Sequence, residues 1–261
     1  MIHSLTSVHP DAIIGKNVEI EPFTTIYGDV KIGDNTWIGP NVTIMDGARI
    51  GSNCRIFPGA VISAIPQDLK FAGEITKVEI GNHTTIRECV TINRGTKAKG
   101  KTIVGSNCLI MSYVHIAHDC LVGNHCVLVG YVGLAGEVEV GDWATLGGGS
   151  MAHQFVRIGA HAFVQGGSKI GKDVPPYILA GRDPLAFAGL NIVGLRRRNF
   201  TQEKILELQE IYRTIYQKGM NHSDAVTYIE NHFTSSQELD QILAFIRSSE
   251  RGIIRGLLDD L

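Results

Sequence analysis

An aliphatic residue stands at every sixth position through most of this chain, and that period constrains the fold more tightly than any motif. Counting in sixes from Val8 reaches Ile14, Ile20, Ile26, Ile32, Ile38, Ile44, Ile50, Ile56 and Ile62. After one interruption the count lands on Ile80, Ile86 and Ile92, and after a second it runs from Val104 to Ile170. Of the 28 positions between Val8 and Ile170, 24 are Val, Ile or Leu; the others are Asp68, Glu74, Ala98 and Ala152. Helices repeat at 3.6 residues and strands at 2, so neither element has this period. A fixed six-residue repeat specifies a solenoid, in which each unit stacks on its neighbours to bury its apolar position.

Many units read aliphatic-Gly-x-x-x-x, as in Ile32-Gly33-Asp34-Asn35, Ile50-Gly51-Ser52-Asn53 and Val104-Gly105-Ser106-Asn107. This places a short β-segment before a tight turn, where Gly and Asn tolerate positive φ. The pattern resembles the hexapeptide repeat of left-handed parallel β-helices, which implies three hexapeptides per triangular coil. Residues 18 apart then stack at about one strand spacing, ~4.8 Å. The mainly β domain is expected over 1–185, with loops near 63–79 and 93–103 that preserve the count. The repeat ends at Ile170-Gly171, and Pro175-Pro176 is expected to halt β pairing and turn the chain away. A linker and a small α-helical domain are expected over 186–261. Ile205, Leu208, Ile211, Tyr212 and Ile215 form one helical face there, with Thr201 as N-cap and Gly219 as stop. Ser223 is read as capping a second helix, and Ser235 with Glu238 as a capping box for a third.

A net charge of −2 gives no global basic field for nucleic acid or an anionic membrane. The N-terminus MIHSLTSVHP has neither a basic nor an apolar leader region, and no run of 18 apolar residues occurs. The expectation is a soluble cytoplasmic protein with no stable membrane insertion. Five cysteines without a CxxC read as reduced structural thiols at turns.

The segment Val114-His115-Ile116-Ala117-His118-Asp119-Cys120 carries the richest candidate chemistry. A neutral histidine can take a proton from a substrate hydroxyl, and a neighbouring carboxylate can hold its tautomer. Stacking sets His118, Gly136 and Gln154 in one column, with Asp119 and Glu137 in the next and His153 just before Gln154. A glycine beside the base permits close approach to its N–H, a potential oxyanion donor. His115, His118, His125 and His153 could instead be metal ligands. His125 differs in phase from His118, however, and a third ligand would have to converge from another coil or subunit, so no metal site is assigned. Gly189 to Arg198, with three consecutive arginines, reads either as a phosphate-binding segment or as a solvated basic run.

Several ordered motifs together resemble one family, the UDP-N-acetylglucosamine O-acyltransferases of lipid A synthesis. They are Pro66-Gln67-Asp68-Leu69-Lys70, Val78-Glu79-Ile80-Gly81, Asn93-Arg94-Gly95-Thr96, His115 to Cys120, and His153-Gln154-Phe155. Asp173 to Tyr177, Asn191, Gly194 to Arg198 and Arg251 to Arg255 complete the set. The resemblance implies a homotrimer with active sites in clefts between subunits. It also implies transfer of a 3-hydroxyacyl chain from acyl carrier protein to the 3-hydroxyl of UDP-N-acetylglucosamine, the first step of lipid A biosynthesis. The chain would be carried on the carrier's phosphopantetheine, with no cofactor resident on the enzyme. It implies that His118 is the general base, that Asp119 supports it, and that the Gly136 amide binds the oxyanion. Asp68, Lys70, His115, His153 and Gln154 would line the sugar, acyl and pantetheine region. Asn191, Arg197 and Arg198 would contact the uridine diphosphate, and basic tail residues would dock the carrier.

Two positions depart from the family pattern. Glu137 stands where His is frequent, and Val193 where Glu is frequent; they bear on sugar specificity and nucleotide affinity. Gly166 and Gly167 lie where the family appears to set acyl length, and two glycines imply an open groove and a long hydroxyacyl donor. A related N-acyltransferase would carry an extra N-terminal domain, whereas here the repeat begins by Val8. A γ-type carbonic anhydrase would use three histidines and zinc on the same scaffold. A purely structural β-helix would leave the His115–Asp119 motif, the Pro66–Lys70 loop and the arginine run together unexplained.

Overall fold

The computed structural model describes residues 1–256. Its strands, mostly two residues long, stack into three sheets of nine, eight and ten strands, and successive strands pass from one sheet to the next. The result is a three-sided parallel β-helix. Ser7 pairs with Thr25 and Ile13 with Lys31, as the 18-residue coil requires. The sixth-position residues point inward: Ile38, Ile44, Ile56, Ile86, Ile110, Ile116 and Leu128 have no exposed surface. Burying each such side chain is worth about 1.5–3 kcal/mol, which is how two-residue strands hold together.

The interruptions are extruded whole hexapeptides. Ile50 pairs with Ile80 and Ile62 with Ile92, thirty residues on, so the first insertion adds two units. Ile86 pairs with Ile110, twenty-four on, so the second adds one. Asp68, Glu74 and Ala98, three of the four non-aliphatic sixth positions, therefore lie in the loops between Ala64 and Lys77 and between Asn93 and Lys101.

At one corner Asn17, Asn35, Asn53, His83, Asn107, His125, Trp143 and His161 all adopt left-handed φ of 55–64°. The side chains there form a second ladder. Backbone N–H groups of Lys16, Ser52, Asn82, Ser106 and Asn124 donate to Asp34, Asn82, Ser106, Asn124 and Asp142 of the following coil. These bonds satisfy donors that the strands leave free. Cys54, Cys108, Cys120 and Cys126 are buried free thiols whose Sγ–H groups face turn carbonyls; Cys89 is a free thiol too, but exposed.

The β pairing does not stop at the two prolines. Val174 bridges to Ile158, and the strand Ile178–Gly181 pairs in parallel with Phe163–Val164. Pro175 and Pro176 occupy a corner, where a missing N–H costs nothing, and Tyr177 takes the left-handed position there with φ 65°. The strand Ala186–Leu190 returns antiparallel to Ile178–Gly181, so the β architecture runs past 185 to Leu190.

Four helices follow among the described residues: α1 (Ile192–Arg197), α2 (Gln202–Gln217), α3 (His222–His232) and α4 (Gln237–Arg247). Thr201 caps α2, and Gly219 follows its end with φ 70°. Asn221, not Ser223, caps α3, and Ser236, not Ser235, caps α4; Ser235 instead donates to Asp240. The sequence pattern carries no signal for the short α1, which Asn191 caps. The helices dock through the fully buried Tyr212, whose hydroxyl donates to Pro176 O at 2.6 Å. The tail then crosses back: Asp173 bridges to Ile253, and Ala186 to Arg255.

Candidate active site

His118 and Asp119 form the turn between the strands His115–Ile116 and Leu121–Val122, at the corner joining the nine- and eight-stranded sheets. Asp119 has φ 60°, and a small polar residue is among the few that enter this region readily. The register matches the stacking arithmetic. His115 opposes Gly133, Glu137 N–H donates to His118 O, and Phe155 N–H donates to Gly136 O.

The stacking arithmetic puts Asp119 in a column with Glu137 at a corner of the coil, where a side chain would ordinarily meet solvent. It is instead fully buried, because the second loop folds over it. Thr96 N–H reaches Oδ1 and Oδ2 at 3.0 and 3.1 Å, the Thr96 hydroxyl donates to Oδ2 at 2.6 Å, and Lys99 N–H donates to Oδ1 at 3.2 Å. Three donors, one of them shared between both oxygens, thus satisfy the buried carboxylate. His118 Nδ1 lies 2.9 Å from Oδ2. A carboxylate only accepts, so Nδ1 carries the ring proton and Nε2 keeps its lone pair. Thr96 is the residue that sequence reasoning missed; its motif marked the loop, but the loop's path is absent from the repeat.

Gly136 lies against the other side of the ring. A Cβ built there would stand 2.6 Å from His118 Nε2 and 2.5 Å from Cε1, so only glycine fits. Among the described residues no acceptor takes the Gly136 N–H, in contrast to the side-chain ladder of the Asn-rich corner. A ring nitrogen with a free lone pair thus lies beside the Gly136 backbone, whose N–H has no acceptor, an arrangement that can serve acyl transfer through a tetrahedral oxyanion.

The remaining candidates divide by position. His115 is half-buried, its Nδ1 2.7 Å from Thr91 Oγ1, and burial lowers its pKa below the usual imidazole value. Gln154 continues the His118 column, and exposed His153 donates through Nδ1 to Gln154 O at 3.1 Å. Glu137 has φ 62° like Asp119, but lines an open cavity of about 460 Å³ with Lys99, Arg157 and Arg251. Asp68 and Lys70 lie in the first loop, where Asp68 Oδ1 accepts from Lys70 N–H at 2.9 Å; no contact joins them to His118. Gly166 and Gly167 form a different corner, above Tyr113 and Tyr131, whose rings stack at 5.0 Å; at Gly167 nothing lies within 4 Å of a built Cβ.

Asn191, Arg197 and Arg198 lie elsewhere. With Val193 they line a cavity of about 580 Å³ against Val127, Thr145 and Phe163 on the ten-stranded sheet. Asn191 caps α1, its Oδ1 accepting from Gly194 N–H and its Nδ2 donating to His161 O. Arg198 is engaged with the fold: Nη2 donates to Trp143 O at 2.9 Å, and the guanidinium lies over the Trp143 ring at 5.2 Å. Arg197 is exposed. Within one chain, these residues and His118 belong to different faces.

Among the described residues no group of three or more His, Cys, Asp or Glu side chains is arranged to hold a metal ion. No helix among them is long and apolar enough to cross a membrane.

Comparison with known proteins agrees with this geometry. Residues 29–64 and 101–136 match the bacterial transferase hexapeptide family of six repeats, and residues 173–254 match the second domain of UDP-N-acetylglucosamine O-acyltransferase. The acyl-[acyl-carrier-protein]–UDP-N-acetylglucosamine O-acyltransferase of Chlorobaculum parvum is 57% identical over 255 residues, covering 95% of this chain and 97% of the relative. That of Chlorobium phaeobacteroides is 61% identical over 252 residues, covering 96% of each. The crystal structure of UDP-N-acetylglucosamine acyltransferase from Bacteroides fragilis superposes with a TM-score of 0.96 at 53% identity, covering 98% of this chain and 100% of that one. With repeats, loops, helical tail and full-length relatives in agreement, this left-handed β-helix belongs to the UDP-N-acetylglucosamine O-acyltransferase family.

Proposed function

We propose that this enzyme transfers a 3-hydroxyacyl chain from acyl carrier protein to the 3-hydroxyl of UDP-N-acetylglucosamine, the opening step of lipid A biosynthesis, in the cytoplasm. The observation that carries the reading is the His118 ring, held at Nδ1 by buried Asp119 and pressed at Nε2 against the Gly136 backbone. Nε2 takes the proton of the sugar hydroxyl as its oxygen attacks the thioester carbonyl carbon. The Gly136 N–H receives the developing oxyanion. The C–S bond then breaks, and the departing thiolate of the phosphopantetheine takes the proton back from the imidazolium. General-base help of this kind is worth about 10²–10⁴ in rate, and one oxyanion donor about 10²–10³.

Because the Asn191 and Arg197 cavity faces away from the His118 corner, a complete site draws on two copies. One supplies the base and the other the nucleotide contacts, in keeping with a homotrimer. His115, His153, Gln154, Asp68 and Lys70 then border the sugar and acyl chain. Glu137 faces the incoming groups from the neighbouring coil. The open space at Gly167 favours a long acyl chain.

The test is acyl transfer from a series of 3-hydroxyacyl carrier proteins to UDP-N-acetylglucosamine and to its 3-amino analogue, comparing the native enzyme with His118→Ala. Transfer to the 3-hydroxyl, greatest for long donors and lost in the folded variant, supports the reading. Transfer that survives His118→Ala removes the base assignment. Preference for the amino acceptor would overturn the substrate, and preference for short donors the groove.

A further inference from the structure

The short helix α1 borders the cavity of about 580 Å³ through Ile192, Val193, Gly194 and Arg197, and one residue of the β-helix meets both of its ends. That residue is His161, at the corner between the strands Arg157–Ile158 and Phe163–Val164. Its backbone oxygen accepts from Nδ2 of Asn191, the N-cap of α1, at 2.9 Å. Its ring Nδ1 lies 3.4 Å from Nη1 of Arg198, the C-cap. The other arm of that guanidinium, Nη2, donates to Trp143 O at 2.9 Å.

The His161 ring is held in place by its neighbours. Trp143 and Tyr177 of the flanking coils stack with it at centroid distances of 6.2 and 5.3 Å, and Phe200 meets it edge-on at 5.3 Å. Burial, and then the Arg198 charge, push its pKa down to about 4 and so favour the neutral ring. A guanidinium only donates, so the neutral ring keeps its lone pair on Nδ1 and its proton on Nε2. Neither His161 nor Trp143 borders the cavity; both stand behind Arg198, which does. Two N–H groups of the guanidinium face these partners, and the rest remain for an anion.

We infer that His161 is a positioning residue for the nucleotide sugar: its ring nitrogen and backbone oxygen set Arg198 and α1 in place before the diphosphate arrives. The inference rests on the UDP-N-acetylglucosamine reading above. His161 acts through Arg198 and touches no reacting atom. An arginine oriented in advance loses less side-chain freedom when the ligand binds, so the contribution falls on affinity. Affinity for a group remote from the chemistry belongs equally to the ground and transition states, and so to KM rather than kcat.

The experiment measures KM for UDP-N-acetylglucosamine at saturating 3-hydroxyacyl carrier protein, and KM for the carrier at saturating nucleotide sugar. It compares the native enzyme with His161→Phe, His161→Asn and Arg198→Ala. Both replacements at 161 suit a corner, because Phe23, Phe155, Asn17, Asn35, Asn53 and Asn107 already hold left-handed φ of 55–68°. A thermal melt checks the fold. Phenylalanine keeps the aromatic stack and loses the acceptor, whereas asparagine loses the stack and offers Oδ1 near the place of Nδ1. KM for the nucleotide sugar should rise about tenfold in the Phe variant and by less than about threefold in the Asn variant. Carrier KM and kcat should stay native in both. A residue that serves only packing gives the opposite order, and that order would overturn the inference, as would equal losses in both variants or none in either. A matching fall in kcat or rise in carrier KM would overturn it too. Native KM in Arg198→Ala would remove Arg198 from nucleotide binding, and the inference with it. An impaired Arg198→Ala beside an indifferent His161→Phe removes the role of His161 alone. A native enzyme that transfers nothing to UDP-N-acetylglucosamine would remove the functional reading itself.

Discussion

The Thr96 hydroxyl donates to Asp119 Oδ2 at 2.6 Å, the same oxygen that faces His118 Nδ1 at 2.9 Å. A residue on an extruded loop thus fixes the carboxylate that orients the His118 ring. Thr96→Val keeps the shape and the backbone donor but removes this hydrogen bond from a buried charge. It should cost about 2 kcal/mol in stability and lower kcat roughly tenfold with little change in KM. Thr96→Ser should restore both. Denaturant melts and steady-state kinetics on the three proteins check this; a Val variant with native kcat would free His118 from Thr96.

Asp119→Asn should be more severe. The carboxylate accepts from Thr96 N–H, Thr96 Oγ1–H, Lys99 N–H and His118 Nδ1–H, and a carboxamide cannot accept all four. The amide group must turn an N–H toward either the loop or the ring. Turned toward the ring, it favours the tautomer with the proton on Nε2, which is no base. A fall in kcat of about 10³ is expected, by analogy with loss of the orienting carboxylate in a catalytic triad. Single-turnover measurements would show the loss in the chemical step rather than in donor binding.

Gly136→Ala separates the site from the fold. Gly136 is not among the positive-φ residues, so alanine meets no backbone strain, yet its Cβ would overlap the His118 ring. The ring must swing away from the N–H beside it. Turnover should fall at least about 100-fold while the far-ultraviolet circular dichroism stays native. A variant that is folded and fully active would show that the base and the amide do not act together.

The register was legible because period and coil are one fact: a six-residue repeat in a three-sided coil can pair only at multiples of six. Ile50 with Ile80 and Ile86 with Ile110 obey it across both insertions. The proximity of His118 and Gly136 followed from that arithmetic. The burial of Asp119 did not, because it depends on where Arg94 to Gly100 folds, and those residues lie outside the repeat. Tyr177 escaped as well: its coil is two residues short, and its corner position is kept by ring packing 5.3 Å from His161. The helix caps shifted by one or two residues because Ser235 and Ser236, or Asn221 and Ser223, are similar capping residues, and packing chooses between them.

His161 predicts how stability depends on pH. It lies between Trp143 and Tyr177, and its pKa is pushed down to about 4, first by burial and then by the Arg198 guanidinium. The folded protein therefore favours the neutral ring. Between about pH 6.5 and 4 the unfolded chain binds this proton more readily, so the contribution is present above 6.5 and is lost as the pH falls. The ring is partly exposed, so the effect is about 1–2 kcal/mol rather than the full value of the shift. His161→Phe keeps an aromatic ring at the corner and removes the titration. Denaturation midpoints at pH 7 and 4.5 should differ less in this variant than in the native protein; equal differences would assign the acid sensitivity to other groups.

The proposed sharing of the site between copies has a quantitative consequence. His118 lies at the corner of the nine- and eight-stranded sheets, and Arg197 borders a cavity on the ten-stranded sheet. If each site takes its base from one subunit and its nucleotide contact from the next, His118→Ala and Arg197→Ala damage opposite halves. In randomly mixed trimers of the two, a site is intact only when an Arg197→Ala subunit supplies His118 and a His118→Ala subunit supplies Arg197. About a quarter of the sites meet that condition. Co-expression of two nearly inactive variants should therefore recover about a quarter of native turnover, while a His118→Ala, Arg197→Ala double variant mixed with itself recovers none. Failure of the co-expressed pair, with trimers of both variants present together, would place base and nucleotide contact on one chain and require a motion that brings two faces of the β-helix together.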